Sequence, residues 1–154
     1  MILPAYRIGP SRISGAGLGV FIDEEVAAGR VLTAPDAIAR VHTFDEVLGQ
    51  PDAAHLLSAT ARWFEDRYTV TPEWPDECYI NHAFRPTALW HLGFVIAAAD
   101  LAANTEITVD YRHLLAPGQR EDFLDAETGG EIVGFSWAES LRISTTALAR
   151  LLNA

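Results

Sequence analysis

Over its first forty positions the chain alternates short apolar runs with turn residues, a pattern that predicts strands rather than helices. Tyr6-Arg7-Ile8 precedes Gly9-Pro10 and a glycine-dense stretch from Gly15 to Gly19. Leu18-Gly19-Val20-Phe21-Ile22 reads as a strand, Ala28-Gly29 as the turn into Arg30-Val31-Leu32-Thr33, and Ala37 to His42 as another strand. Thr43-Phe44-Asp45-Glu46 then has the polar cap and acidic first turn of a helix start. Asp52 to Trp63 places Leu56, Leu57 and Trp63 at helix-like spacing, so residues 43–75 are expected to form a small helical insert. The β signal returns from Thr69, broken by Pro72, Pro75 and Pro86. Ala88 to His91 and Phe94 to Ala98 read as two strands hinged at Gly93, and Glu106 to Val109 as a third. Asn104 precedes that last strand at a turn where a left-handed conformation is tolerable. Ser136-Trp137-Ala138-Glu139 is a capping box opening a final helix, with Leu148, Leu151 and Leu152 on its apolar face.

Length and composition fit this reading. At 154 residues and 49% hydrophobic, the chain is expected to be a single domain over 1–154, mainly β, with peripheral helices. No apolar run approaches the ~20 residues that span a bilayer, and the start Met1-Ile2-Leu3-Pro4 has no secretory pattern. The single Cys78 allows neither an internal disulfide framework nor a cysteine zinc cluster. These features predict a reducing cytoplasm.

Charge narrows the partners. All 11 basic residues are Arg, with no Lys, against 21 Asp and Glu, leaving a formal net charge of −10. The arginines are scattered from Arg7 to Arg150, not clustered as a phosphate backbone requires, so nucleic acid is not an expected partner. An acidic surface attracts a basic protein or peptide, although on charge alone solubility explains the balance equally simply.

The chemistry-bearing residues are few. No Gly-rich loop leads to a phosphate-binding Lys, and no His-Glu-x-x-His is present. His42, His55, His82, His91 and His113 are spread without metal-ligand spacing, and no metal site is expected. Three short segments remain. Gly17-Leu18-Gly19 lets a ligand approach backbone closely, or is simply a turn. Asn81-His82 offers a donor and an acceptor matching a purine edge, or caps its own loop. Asp110-Tyr111 ends an apolar strand with a phenol facing a cavity, or facing water.

In this order and spacing the three segments resemble the SET-domain protein lysine methyltransferases, in the small bacterial form that lacks a cysteine-rich closing segment. Gly17-Leu18-Gly19-Val20-Phe21 matches the family's opening strand, and Ala27-Ala28-Gly29-Arg30-Val31 the step after it. Asn81-His82-Ala83-Phe84-Arg85-Pro86 matches the Asn-His-Ser-x-x-Pro signature, and Asn104 to Tyr111 the Gly-Glu-Glu-Leu-Thr-x-Asp-Tyr signature. The resemblance covers about Arg12 to Tyr111. It implies a β-clip fold in which the chain threads through a loop near its C-terminus. It also implies S-adenosylmethionine as methyl donor, S-adenosylhomocysteine as product, and no metal. Gly17, Leu18, Gly19, Asn81 and His82 would hold the cofactor, Tyr111 would be catalytic, and Tyr79 and Trp90 would line the lysine channel. Trp90 stands where the family often has Tyr or Phe, and would narrow that channel. Ala83, Thr87, Asn104 and Thr105 also depart from the signatures. With no cysteine after Tyr111, an aromatic from 112–154 is expected to cover the adenine: Trp137, or else Phe135.

The expected activity is methyl transfer to a protein lysine. The alternatives are a SET-fold interaction module without turnover, and a methyltransferase acting on a different acceptor.

Overall fold

The computed structural model describes residues 1–36, 38 and 40–153, so the strand expected over 37–42 falls partly outside the described residues, at Ala37 and Ala39. The protein is mainly β, 31% strand against 22% helix, built from small sheets. Strand β1 (Tyr6–Pro10) pairs antiparallel with β2 (Leu18–Ile22), from Tyr6 opposite Ile22 to Pro10 opposite Leu18. Residues Val20 to Ile22 of β2 are all buried, because its other edge is also covered: Ile107 N–H donates to Val20 O and Ile22 N–H to Thr105 O. A strand with both faces and both edges covered has no place for polar side chains, which accounts for the unbroken apolar run Val20-Phe21-Ile22. Strand β3 (Val31–Thr33) follows.

Helix α1 (Phe44–Leu48) starts as expected, with Thr43 and Glu46 exchanging both bonds of a capping box. Helix α2 (Ala53–Leu57) stops after five residues. Here the structure departs from the sequence expectation. Residues 43–75 are two short helices followed by a hairpin, β4 (Thr60–Phe64) and β5 (Arg67–Val70), turning at Glu65, whose φ is 47°. Trp63 is therefore a strand residue. Its indole N–H donates to Leu92 O at 2.9 Å, and its ring fills the space where a Cβ on Gly93 would lie. Arg62, 1% exposed, donates from Nε to His113 O (3.2 Å) and from Nη1 to Phe135 O (2.9 Å). Those long-range bonds favour the hairpin over continued helix, an instance of tertiary contacts overriding local spacing.

Strand β6 (Asn81–His82) is only two residues long, followed by β7 (Ala88–His91) and β8 (Phe94–Ala97). β7 and β8 form the expected hairpin, with Leu92 and Gly93 both at positive φ, and β8 lies between β3 and β7. Strand β9 (Thr108–Val109) runs parallel to β6, Asn81 opposite Thr108 and His82 opposite Val109. This pairing brings the second and third sequence segments side by side. A hairpin absent from the sequence reading follows, β10 (Arg120–Leu124) with β11 (Glu131–Val133).

Helix α3 (Trp137–Leu152) begins at Ser136, whose side chain accepts from Glu139 N–H. It seats Ser144 against His91 Nδ1 (3.0 Å) and Ser140 against His113 Nδ1 (2.8 Å). The main core gathers Val20 and Ile22 of β2, Leu32 of β3, Val95 of β8, Val109 of β9, and Ile107 just before β9.

Candidate functional site

The two glycines at the head of β2 serve different physical needs. Gly17 has φ +75° and open space around it, so its requirement is conformational. Gly19 has an ordinary φ, but a Cβ there would fall on the Glu106 carboxylate and lie 3.2 Å from Asn81 Nδ2. The volume it leaves is filled by a buried polar cluster. Glu106, 6% exposed, accepts from Ser11 Oγ (2.6 Å) and Asn81 Nδ2 (3.1 Å) on Oε1 and from Arg12 N–H (2.8 Å) on Oε2. The carboxylate thus ties the loop before β2 to the asparagine.

Asn81 is oriented by this cluster. Its amide nitrogen donates to Leu18 O (2.8 Å) and to Glu106. Both neighbours accept, so the nitrogen must face them, and Oδ1 is left as the amide's unspent atom. From its type and setting alone, Asn81 offers both a donor and an acceptor for a purine edge, or caps its own loop. In the fold its donors are consumed internally, and what it retains is an acceptor, suited to an ammonium or another N–H group.

His82 and Tyr111 form a second linked pair. The Tyr111 backbone N–H donates to His82 Nδ1 at 3.1 Å, and its hydroxyl donates to Ile80 O at 2.7 Å. Since Nδ1 accepts, the neutral imidazole carries its proton on Nε2. Burial pushes the His82 pKa down, opposed by Asp110 and Asp125. Burial drives the Tyr111 phenol far above its ordinary value, with the Glu121 carboxylate adding to the rise. The phenol is therefore a neutral hydrogen-bonding group at physiological pH.

A cavity of about 810 Å3 connects these groups. Leu18, Asn81, His82, Tyr111, Tyr79 and Trp90 all line it. Gly17 and Gly19 flank Leu18 without lining it themselves. Neither Trp137 nor Phe135 lines the cavity. Trp137 is half-buried in the first turn of α3, and the Phe135 ring packs on His113 at 5.1 Å and under the Arg112 guanidinium at 4.6 Å. The C-terminal aromatic at the cavity is instead Phe123 of β10, edge-on to Tyr111 with ring centroids 6.4 Å apart. Its position was not predictable from periodicity, because the β10–β11 hairpin carries no alternating apolar pattern: Arg120-Glu121-Asp122-Phe123-Leu124 is mostly charged and mostly exposed.

The side chains of Asp and Glu set the cavity's charge. Asp36, Glu77, Glu121 and Asp122 line it, with no arginine among the described lining residues. The Met1 ammonium at its edge reaches Glu77 at 2.6 Å and Asp36 at 3.4 Å. Burial raises the Glu121 pKa, with Asp122 adding to the shift, and burial raises the Cys78 thiol as well. Thr87, which departs from the expected signature, bridges the strands: its hydroxyl donates to Glu106 O and accepts from Thr108 N–H, each at 2.9 Å. Among the described residues no cluster of three His, Cys, Asp or Glu is arranged to hold a metal, and no helix is long and apolar enough to cross a membrane.

No family model matches the chain, and no curated protein matches it. Among solved structures it is similar to a chain of a humanized mutant of the Chaetomium thermophilum Polycomb Repressive Complex 2 bound to the inhibitor GSK343, with a TM-score of 0.56 and 18% identity. The match covers 86% of this chain and 20% of that one, so this chain spans about a fifth of that chain's length. The likeness is one of fold, and the fold is SET-like.

Proposed function

We propose that the protein transfers a methyl group from S-adenosylmethionine to a side-chain amine, that of lysine, in a basic protein or peptide. The observation that carries this reading is the convergence of Leu18, the Asn81 amide and the Tyr111 phenol on one cavity with acidic walls. The residues suit the donor. Asn81 Oδ1 would accept from its α-ammonium, and the acidic lining favours a molecule carrying a sulfonium.

When bound, S-adenosylmethionine supplies an electrophilic methyl on a positively charged sulfur. The chain's own task is positioning, the effect that lowers barriers by holding reactants in line. The hydroxyl of Tyr111, already committed as a donor to Ile80 O, keeps its lone pairs for an acceptor role and would orient an incoming amine at the cavity that Tyr111 lines. The Ile80 carbonyl fixes the phenol's rotation, so little reorganisation accompanies the reaction. Tyr79 and Trp90 supply aromatic wall, a surface that accepts an alkylammonium by cation–π contact. Acidic side chains at the mouth draw in a cationic substrate.

Trp90 also supports a second reading, an interaction module without turnover, because its indole is bulkier than the ring that the resemblance places in the lysine channel. Calorimetric titration with S-adenosylmethionine, followed by labelled methyl transfer into lysate proteins, separates the two. Saturable binding weakened about tenfold or more in Asn81→Ala supports the cofactor site, the scale of one hydrogen bond to a charged group. Labelling lost in Tyr111→Phe supports the enzyme; saturable binding without labelling keeps the donor site and removes turnover; no heat and no labelling overturns methyl transfer and supports the module.

A further inference from the structure

His82 Nε2 is buried and has no hydrogen-bond partner, yet the carboxylate nearest it is close. Asp125 Oδ1 lies 3.5 Å away, and the two side chains are 3% and 2% exposed. Asp125 belongs to the connection between β10 and β11, outside every motif that singled out Asn81, His82 and Tyr111. The same Oδ1 accepts from Phe84 N–H at 3.1 Å, while Oδ2 accepts from the Thr128 N–H and hydroxyl, each at 2.7 Å. One carboxylate therefore closes the hairpin turn, holds the backbone two residues past His82, and faces the imidazole edge that must bear the proton.

We propose that Asp125 is a positioning residue for the methyl-transfer site, acting through His82 on Tyr111. A buried carboxylate opposite Nε2 favours the tautomer protonated there, leaving Nδ1 free to accept the Tyr111 N–H. That bond fixes the backbone from which the phenol projects. The opposite tautomer would set Nδ1–H against Tyr111 N–H, two donors face to face. Asp125 also docks the hairpin that carries Phe123 against the Tyr111 ring and Glu121 into the cavity wall, so one anchor sets two sides of the phenol. The charged groups acting on the imidazole are Asp110, Asp125 and Arg112, with the Phe84 ring perpendicular to it at 4.9 Å. Asp110 is engaged by Arg112 through contacts of 2.5 to 3.0 Å, which leaves Asp125 as the carboxylate directed at Nε2.

The inference rests on the proposed methyl transfer only for its kinetic consequence. Three variants test it: Asp125→Ala, Asp125→Asn as the fold-preserving change, and Thr128→Ala, which loosens the turn alone. The readouts are the imidazole 15N shifts and titration of His82 by NMR, S-adenosylmethionine affinity by calorimetry, and the labelling rate of lysate proteins at saturating donor. In Asp125→Asn the His82 titration should move to lower pH, because the carboxylate that stabilised the imidazolium is gone. In Asp125→Ala the Nε2–H signature should weaken and shift as the tautomer protonated on Nδ1 gains population, and the rate should fall about tenfold to a hundredfold, with donor affinity changed much less. Thr128→Ala should leave the His82 spectrum and the rate near wild type. Unchanged His82 shifts and titration in both Asp125 variants would overturn the inference, as would a rate loss in Thr128→Ala equal to that in Asp125→Ala. A wild-type protein that neither binds the donor nor labels protein would overturn the functional reading instead, while the NMR comparison still decides the role of Asp125.

Discussion

Gly19 is a glycine because Glu106 occupies its side-chain space: a Cβ would fall on the carboxylate that also receives Ser11, Arg12 and Asn81. Gly19→Ala should therefore destabilise the fold by about 1–3 kcal/mol, the cost of overpacking a filled core. It should also weaken S-adenosylmethionine binding, since relief of the clash moves either Glu106 or Asn81. Thermal unfolding and calorimetry read the two effects. An alanine variant with native stability and affinity would contradict the geometry. Glu106→Gln should behave similarly by a different route, because its amide turns a donor toward groups that already donate, at about 1–3 kcal/mol.

Tyr111→Phe removes one hydroxyl, donated to Ile80 O, and leaves the ring against His82 and Phe123. We expect donor affinity within about threefold of wild type and methyl transfer reduced about a hundredfold, the range for loss of one preorganised polar group. Single-turnover labelling at saturating donor measures it. Equal rates would remove the phenol from the mechanism.

Burial depresses His82, His91 and His113 below the ordinary histidine value. Between the unfolded value near ~6.5 and each lower folded value, the unfolded chain binds protons that the native state refuses. Their contribution to stability is thus fully present above pH ~6.5, and is lost as pH falls from there through the folded values. Melting temperature scanned from roughly pH 8 to pH 5 should hold steady at first and then decline on acidification. A melting temperature that rises over the acidic half of the scan would contradict this.

The aromatic that borders the phenol is Phe123, 44% exposed, not Trp137. Phe123→Ala should weaken ligand binding at the cavity by about 1 kcal/mol, the scale of a half-buried aromatic contact. Trp137→Ala should leave donor affinity within about twofold and instead lower the melting temperature, because it loosens the first turn of α3. Reversed effects in calorimetry would restore Trp137 as the cover.

Much of this was legible in the sequence, for identifiable reasons. The apolar run Val20-Phe21-Ile22, the turn residues Gly93 and Asn104, and the Thr43 cap are local signals, and local rules place them where they stand. Asn81 and Tyr111, singled out by a spacing that resembles a known pattern, line one cavity. Their adjacency comes from a two-residue parallel ladder too short to leave any periodicity. Trp63 misled because indole at helical spacing is indistinguishable, in sequence, from indole packed over Gly93 across the fold. Glu106 and Asp125 were overlooked as organisers for a related reason. In a chain with 21 acidic residues, nothing local separates a buried carboxylate receiving three donors from a solvated one.

The β10–β11 hairpin reaches back to a ladder formed between β6 and β9, and this ordering has a temporal consequence. A ribosome releases His82 and the Phe84 backbone well before Asp125, the carboxylate that both face in the finished fold. Until that hairpin has emerged, the cavity lacks the wall that Glu121, Asp122 and Phe123 supply. Completion of the cavity wall accordingly waits on a segment that is made and folded late.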